Sequence, residues 1–550
     1  MTDEAPITPA TIEAAERLLG IAYTEAERRL MIEGFEEQIT AALARRAVPM
    51  PDTLAPASRF DPRLPGWRPP VPRVFRPSDE AAPELPDDEA DIAFAPAWMQ
   101  SRWLRSKAIS SVRLTELYLA RLDRLGPGLE CIAAVTSLRA LDEARQADRD
   151  LAEGRWHGPL HGIPWGAKDL FDTAGIVTGW GAEPYRDRVP ARDAAVIARL
   201  RNAGAVLVAK TAVGALAYGD VWYGGISRNP WNLEEGSSGS SAGSASAIAA
   251  GLVGFSLGTE TLGSIVSPSM RCGTVGLRPT FGRVSRAGTM PLCWSLDKIG
   301  PICRSVEDTA LVLAAIEGFD ADDPGSIAEP LGYDSLRPVA GRRLGYFPQD
   351  FEALEALDLD RAALETAKRL GFDLIPLERP DLPYDSLTAI LFAEAAAAFE
   401  ELTLSGRDDE LRRQDAAAWP NQFRRARFLS AVDHIQLDRL RRRVMMVMEE
   451  CFRGVDAIIG PSDVGPMLTI TNFTGHPCLV LPAGFIETPT RRRTGAALLG
   501  EVTAEGEITH RVPHGISLWG RLFDEGTIIG IGRALEREFG LAGERPPGLR

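Results

Sequence analysis

A glycine- and serine-rich window from Gly236 to Gly263, followed directly by Ser264, holds the side chains of this sequence that are best suited to chemistry. Its first half has the composition of a flexible linker. The residues that follow, AIAAGLV and GFSLGT, instead predict a buried helix and a buried strand. Small residues placed this densely beside core elements favour close backbone approach and presented hydroxyl or N–H groups. We therefore interpret the window as a functional loop.

Two general motifs can be compared with this loop. A phosphate-binding loop requires a lysine after its glycines, and none follows here. The segment from Gly239 to Gly243 matches the GxSxG pattern of a nucleophile elbow, with Ser241 as nucleophile and His476 or His514 as its base. An elbow follows a strand, whereas the preceding residues NPWNLEEGSS are typical of a turn. An esterase of this type stays as an alternative.

Lysine is rare in this chain, since only five of the 61 basic residues are lysines. Arginine serves wherever charge alone is needed, so each lysine indicates a role that arginine does not fill. An ammonium group loses its proton when it is desolvated, whereas a guanidinium group effectively does not. Lys168 follows the apolar segment IPWGA and is followed by Asp169 and the apolar pair LF. The apolar neighbours favour loss of the proton, whereas the charge of Asp169 would oppose it.

Three separated segments resemble the amidase signature family, and the resemblance covers most of the chain after about residue 96. They are GPLHGIPWGAKDLFDTAG (158–175), the glycine- and serine-rich window, and CGTVGLRPTFGRVSRAG with SLDKIGPICRSVEDTALVL (within 272–313). The family has a lysine in a GIPxxxKD segment and a nucleophilic serine 24 residues after the first serine of its GGSSGGS stretch. In this chain those positions are Lys168, Ser240 and, 24 residues later, Ser264.

The resemblance implies a Ser–cis-Ser–Lys triad. Ser264 would attack the substrate carbonyl, Ser240 would relay the proton from a cis peptide, and Lys168 would be the base. Ser241 would support the triad, and no metal or organic cofactor is implied. The family's oxyanion hole is made of backbone N–H groups, which in this chain are those of Thr261, Leu262, Gly263 and Ser264.

The chain departs from the family pattern D-x-GGSIR around the nucleophile. Glu260 replaces the aspartate that usually braces this loop, and Val266 replaces the arginine that often partners it. Changing both members of a pair is coherent, because a buried charge without a partner is costly. Leu262 replaces a glycine, which would strain the backbone if the position required a positive φ.

The resemblance implies a hydrolase of linear amide bonds, with ester or carbamate bonds as further substrates. A glutamine-hydrolysing subunit of a tRNA-dependent amidotransferase belongs to the same family and is the alternative that would need partner subunits. A non-catalytic scaffold with the same fold is disfavoured because Lys168, Ser240 and Ser264 are all present.

Composition restricts the partners. A net charge of −15 and a pI near 5.1 disfavour nucleic acid, so we expect a small-molecule amide or ester. The six scattered cysteines and six scattered histidines predict reduced thiols and no metal site. The sequence has no apolar run typical of a membrane span and an acidic start without a signal-peptide pattern, which predicts a cytoplasmic protein without membrane contact. Among oligomers of soluble enzymes the homodimer is the commonest, and it is the association that we expect.

The elements that must position these groups alternate between helices and short apolar runs. Ala194 to Asn202 predicts a helix and AVLVAK a buried strand, and the pattern recurs from LGYF (344–347) to FDLIPL (372–377). Residues 385–455 read as mostly helical. The predicted fold class is α/β, with one large mixed, mostly parallel, twisted sheet covered by helices on both faces.

The N-terminal region differs in composition from the rest. Residues 8–47 predict two helices, each opened by a threonine cap, Thr8 and Thr24. Twelve of the 40 prolines lie between Pro49 and Pro96, which predicts an extended strap. We therefore divide the chain into a helical appendage with its strap (1–95) and a catalytic domain (96–545).

Overall fold

The computed structural model describes residues 7–48, 50–51, 54–71, 74–493 and 502–549. The helices are α1 (Pro9–Leu19), α2 (Glu25–Arg46), α3 (Glu89–Phe94), α4 (Ala97–Arg105), α5 (Ser111–Leu129), α6 (Ser137–Ala152), α7 (Ala195–Asn202), α8 (Ala242–Ala249), α9 (Val266–Cys272), α10 (Val306–Ile316), α11 (Pro348–Glu352), α12 (Asp358–Arg369), α13 (Thr388–Ala398), α14 (Glu400–Leu404), α15 (Trp419–Ala426), α16 (Ala431–Phe452), α17 (Met467–Thr474) and α18 (Glu525–Phe539). The strands are β1 (Phe75–Arg76), β2 (Ile132–Val135), β3 (Pro164–Lys168), β4 (Val206–Thr211), β5 (Val221–Trp222), β6 (Gly225–Ile226), β7 (Arg228–Asn229), β8 (Asn232–Gly236), β9 (Phe255–Glu260), β10 (Val275–Arg278), β11 (Lys298–Cys303), β12 (Tyr333–Asp334), β13 (Arg343–Tyr346), β14 (Asp373–Pro376), β15 (Ala457–Pro461), β16 (Cys478–Arg493) and β17 (Val502–Gly520).

A central sheet of 11 strands runs through the described part of the chain, in the order β14-β13-β15-β17-β16-β10-β11-β9-β3-β4-β2. Helices pack against it, among them α8 on β9 and β3, and α18 on β16. The predicted α/β class with one large mixed sheet is confirmed. The parallel share is smaller than expected: four neighbouring pairs are parallel and six are antiparallel. Long hairpins such as β16–β17 produce antiparallel pairs without a crossover helix.

The two predicted N-terminal helices are present as α1 and α2. The Thr8 hydroxyl accepts the N–H of Thr11, and the Thr24 hydroxyl accepts the N–H of Glu27, as capping side chains do. An ion pair joins the hairpin of α1 and α2 to the rest of the chain, since Arg45 lies 2.7 Å from a carboxylate oxygen of Glu400.

The proline-rich strap lies along the surface of the sheet domain. The ring of Phe60 packs edge-on against Phe281, and Trp67 packs in the same way against Phe523. Near the end of the strap, β1 pairs with β12 in a parallel fashion. Within the predicted appendage and strap, residues 1–6, 49, 52, 53, 72 and 73 lie outside the described residues.

Two neighbouring parallel strands determine where the proposed chemistry lies. Ala167 on β3 is paired with Leu257 on β9, so the carboxyl ends of both strands reach the same edge of the sheet. Lys168 ends β3, and Glu260 ends β9 just before the turn that contains Ser264. Ligands commonly bind at the carboxyl edge of parallel strands in α/β sheets.

Candidate active site

Lys168 is completely buried and lies at the centre of a cluster of hydroxyl groups. Its Nζ donates to the Oγ of Ser240 at 2.8 Å, to the Oγ of Ser241 at 3.1 Å and to the Oγ1 of Thr259 at 2.8 Å. All three partners are neutral, so none of them supplies the negative charge that would hold a proton on the amine. The structure thus brings three of the predicted site residues together, since Lys168 contacts both Ser240 and Ser241.

The charge state of Lys168 follows from this environment. Burial lowers the pKa of the ammonium well below its ordinary value of 10.5, while the carboxylates of Asp297 and Glu260 act in the opposite direction. Asp169 was expected to oppose the shift because it is the next residue. Its Oδ1 instead lies 3.3 Å from the Nζ of Lys210, another buried lysine, so the neighbouring charge is already paired.

The glycine- and serine-rich loop is made of small residues because other backbone segments pass close to it. A Cβ on Gly239 would collide with the carbonyl oxygen of Gly219, and one on Gly243 would collide with that of Cys131. The peptide bond between Gly239 and Ser240 is cis, as the family resemblance implied. Close approach, rather than linker flexibility, therefore explains the composition of this window.

The elbow-like context of Ser241 differs from the prediction, because a strand does precede the loop. This strand, β8, belongs to a separate two-stranded sheet with β7, and α8 follows the loop. Ser241 itself is completely buried beside the lysine. The two candidate histidines have other partners, since His476 contacts the Oγ1 of Thr474 at 2.8 Å and His514 contacts the Oδ1 of Asp360 at 2.8 Å. The structure therefore does not assemble the esterase triad.

The turn between β9 and α9 contains the predicted oxyanion positions. Gly263 has a φ of +83°, whereas Leu262 is not among the residues with positive φ. The strain considered for Leu262 therefore does not arise, and its side chain is buried in the main hydrophobic core. The carbonyl oxygen of Ser264 accepts the N–H of Ser241 at 3.2 Å, which holds Ser264 against the glycine- and serine-rich loop. In the described part of the chain, the N–H groups of residues 261–264 donate no hydrogen bond to protein.

The next two N–H groups of the turn behave differently, because a side chain binds both. The Oε2 of Glu260 accepts the N–H of Ile265 at 2.8 Å and that of Val266 at 3.0 Å. Its Oε1 accepts Arg278 at 2.6 Å and the Asn472 amide at 2.9 Å. Burial raises the pKa of this carboxyl, but Arg278 and the N–H donors outweigh burial and lower it to about 2.

The charge pair expected to be lost with the Glu260 and Val266 substitutions is thus present in another form. Arg278 is completely buried and comes from β10, within the GLRPT segment. Sequence reasoning did not assign Arg278 a partner, because no local spacing connects it to Glu260.

A cavity of about 560 Å³ adjoins the turn on the side of β11. Two charged residues of its wall, Asp297 and Lys298, were not predicted as site residues from the sequence, although Lys298 is one of the five lysines. Burial, with the nearby Arg278, lowers the pKa of Lys298 to about 7. The wall of the cavity includes Ala55, Thr259, Thr261, Asp297 and Lys298.

The described ranges, 7–48, 50–51, 54–71, 74–493 and 502–549, lack two kinds of feature. Nowhere in those ranges do three or more His, Cys, Asp or Glu side chains gather in a way that could hold a metal ion. Nor is any helix there long and apolar enough to cross a membrane.

Known proteins are similar to this chain in sequence over most of its length. A family model described as "Amidase" matches residues 113–529. One subunit of the glutamyl-tRNA(Gln) amidotransferase from Anaeromyxobacter sp. (strain K) is 35% identical over 469 residues, which are 79% of this chain and 94% of that protein. The putative amidase AmiD of Mycobacterium bovis is 33% identical over 501 residues, which are 86% of this chain and 99% of that protein.

A solved structure agrees with these sequence matches. The native peptide amidase from Stenotrophomonas maltophilia has a TM-score of 0.70 and 28% identity, covering 83% of this chain and 98% of that one. The fold and the comparisons together define a hydrolase of amide bonds. The chain belongs to the amidase family, to which its motifs were similar.

Proposed function

We propose that this enzyme hydrolyses small linear amides through an acyl-enzyme on Ser264. The Oγ of Ser264 adds to the carbonyl carbon, and the C–N bond of the tetrahedral intermediate then breaks to release an amine. Water attacks the resulting ester in the second half of the reaction and releases the carboxylic acid. Esters and carbamates, whose carbonyl carbons react in the same way, are included among the proposed substrates.

The observation that carries the proposal is the 2.8 Å hydrogen bond between the Nζ of Lys168 and the Oγ of Ser240 in a fully buried setting. Neutral Lys168 takes the proton of Ser240 as Ser240 takes that of Ser264. The proton then returns along the same path to the leaving nitrogen. Ser241 and Thr259 support this step by holding the amine in place through their hydroxyl groups.

The turn after β9 is proposed to stabilise the oxyanion. The N–H groups of Thr261, Leu262, Gly263 and Ser264 have no protein acceptor in the described residues, so they remain open to an incoming oxygen. Removing one preset donor of this kind typically costs about 2.7–4 kcal/mol of transition-state stabilisation. The adjoining cavity of about 560 Å³ lies within the range that holds small-molecule ligands.

A covalent probe tests the nucleophile directly. The wild-type enzyme and Ser264→Ala are incubated with phenylmethylsulfonyl fluoride, and intact mass with peptide mapping locates the adduct. A single adduct on Ser264 that disappears in the variant is expected. Ser256→Ala is the matched control, because its buried hydroxyl on β9 donates to the carbonyl oxygen of Gly166 rather than to the site. An adduct on Ser241, or none in the wild type, would overturn the assignment.

A second function is favoured by one specific observation, the 35% identity to one component of an amidotransferase. In that case the enzyme would release ammonia from glutamine and would need further subunits to pass it on. Ammonia release from glutamine is measured beside release from acetamide, benzamide and a peptide amide. Hydrolysis of the simple amides by the isolated chain supports the first proposal, whereas activity on glutamine alone supports the second.

The domain boundaries, the class of partner, the location in the cell and the oligomeric state are also proposals. The division into residues 1–95 and 96–545 is supported by the packing of α1 on α2 and by the family match beginning at residue 113. The acidic composition supports a small-molecule partner rather than nucleic acid. Cytoplasmic location and a homodimer are tested by fractionation of cells and by the mass of the enzyme in solution.

A further inference from the structure

We propose that Asp297 is a positioning residue that holds the oxyanion turn through the side chain of Thr261. The inference rests on the proposed function of Ser264, and it adds a residue for which the motif comparison assigned no role. Asp297 belongs to the SLDKIGP segment and lies just before β11, across the cavity wall from the turn.

The contact is a short hydrogen bond between two buried side chains. The Oγ1 of Thr261 donates to the Oδ1 of Asp297 at 2.6 Å, and the threonine is only 6% exposed. The other oxygen, Oδ2, accepts the N–H groups of Leu292 at 2.8 Å and Cys293 at 2.9 Å. One oxygen is thus fixed by its own loop, and the other is presented to the turn. Hydrogen bonds to a charged acceptor are stronger than those between neutral groups.

This contact matters because the turn does not hold itself. The N–H groups of residues 261–264 have no protein acceptor in the described residues, so backbone hydrogen bonds from these groups do not set their direction. Glu260 fixes the far end of the turn through Ile265 and Val266. Asp297 fixes its near end through Thr261, the first of the proposed donors. Two carboxylates therefore hold the turn from both sides.

The loop that carries Asp297 is itself anchored. The N–H of Ser295 donates to Glu394 of α13 at 3.0 Å, and Arg441 of α16 donates to the carbonyl oxygen of Ser295 at 2.7 Å. Arg441 is 2% exposed, so this anchor is inside the protein. The mostly helical stretch 385–455 thus supports the position of Asp297.

The test removes the hydroxyl donor in Thr261→Val and the negative charge of the acceptor in Asp297→Asn, and neither change alters the shape of the side chain. Thr261→Val, Asp297→Asn and the double variant are assayed with the best nitroanilide found in a screen of acyl groups, and with a trifluoromethyl ketone of the same acyl group. Thr527→Val is the matched control, because Thr527 is 5% exposed and donates to Asp524 at 2.9 Å far along the chain at α18. Thermal unfolding is measured for every variant.

We expect kcat of Thr261→Val and Asp297→Asn to fall by about 10- to 100-fold with KM within about threefold. Affinity for the trifluoromethyl ketone, which forms an oxyanion on Ser264, should fall by the same factor as kcat. The double variant should lose no more than either single variant, Thr261→Ser should recover most of the activity, and Thr527→Val should keep the wild-type kcat.

Wild-type kcat in Thr261→Val, an effect on KM alone, or additive losses in the double variant would overturn the proposal. If Asp297→Asn does not fold, the comparison of Thr261→Val with Thr261→Ser tests the proposal. Failure of the proposed function gives a different result. Covalent labelling that persists in Ser264→Ala would reject the nucleophile, whatever the Thr261 variants do.

Discussion

The amine of Lys168 and the hydroxyl of Ser240 meet at 2.8 Å inside the protein, although 72 residues separate them in the chain. Lys168 ends β3, and Ser240 lies in the loop that enters α8. The helix packs on β3 and on its neighbour β9, so the loop is held over the end of the lysine strand. The fold therefore places a buried amine within hydrogen-bonding distance of a serine hydroxyl of this loop.

Replacement of Lys168 by arginine tests whether this amine acts as a base. Arginine keeps the positive charge but effectively does not lose its proton, so Lys168→Arg should reduce kcat/KM by at least about 1000-fold. Lys368→Arg is the control, because that lysine is exposed on α12. Hydrolysis of the best amide substrate and thermal unfolding are compared for both variants. Substantial turnover by a folded Lys168→Arg enzyme would make the lysine structural.

The pH dependence should report the same group. Only neutral Lys168 accepts a proton, so kcat/KM should rise with pH through the pKa of this lysine. Burial lowers that pKa well below 10.5, while Asp297 and Glu260 act against burial. The acid limb should therefore lie well below pH 10.5, with activity lost as the amine becomes protonated. A profile that keeps rising to about pH 10.5 would contradict a desolvated base.

The sequence predicted individual elements better than their arrangement. Periodicity indicated α7, β4, β13 and β14 because each element depends on its own residues. Strand order depends on pairs far apart, and β10 lies beside β16, about 200 residues later. Nothing local distinguishes that neighbour from another apolar strand. The balance of parallel and antiparallel pairs was for this reason not predictable from the alternation of helices and strands.

The same distinction applies to the site. Lys168, Ser240 and Ser264 could be predicted as site residues because each lies in a continuous motif with a characteristic spacing. Arg278 and Asp297 were not predicted as site residues, because their contacts are made across the fold. Arg278 contacts Glu260, and Asp297 contacts Thr261. The departures from the family pattern at Glu260 and Val266 suggested that a charge pair was lost. The structure instead pairs Glu260 with Arg278 of β10.

The ion pair between Glu260 and Arg278 predicts a large effect on stability. Both side chains are completely buried, so Arg278→Met leaves a carboxylate without its cation. Breaking a buried pair in this way typically costs about 3–5 kcal/mol of unfolding free energy. Arg453→Met is the control, since its pair with Glu450 is exposed and is expected to contribute at most about 1 kcal/mol. Urea unfolding at pH 7 measures both, and equal small losses would contradict the importance of the buried pair.

Deletion of residues 1–47 should leave the chemistry intact. Among residues 7–48, burial is confined to Ile12 and Glu16 in the described side chains, so the helical hairpin contributes little to the main core. The cut preserves the strap, whose Ala55 lines the cavity beside the proposed site. We expect kcat within about twofold of wild type and a modest loss of stability. A second deletion, of residues 1–58, removes Ala55 as well and should raise KM, because the cavity then loses one of its lining residues. Turnover and circular dichroism are measured for both truncated enzymes. Loss of turnover by the shorter deletion in a folded enzyme would mean that the hairpin itself shapes the site.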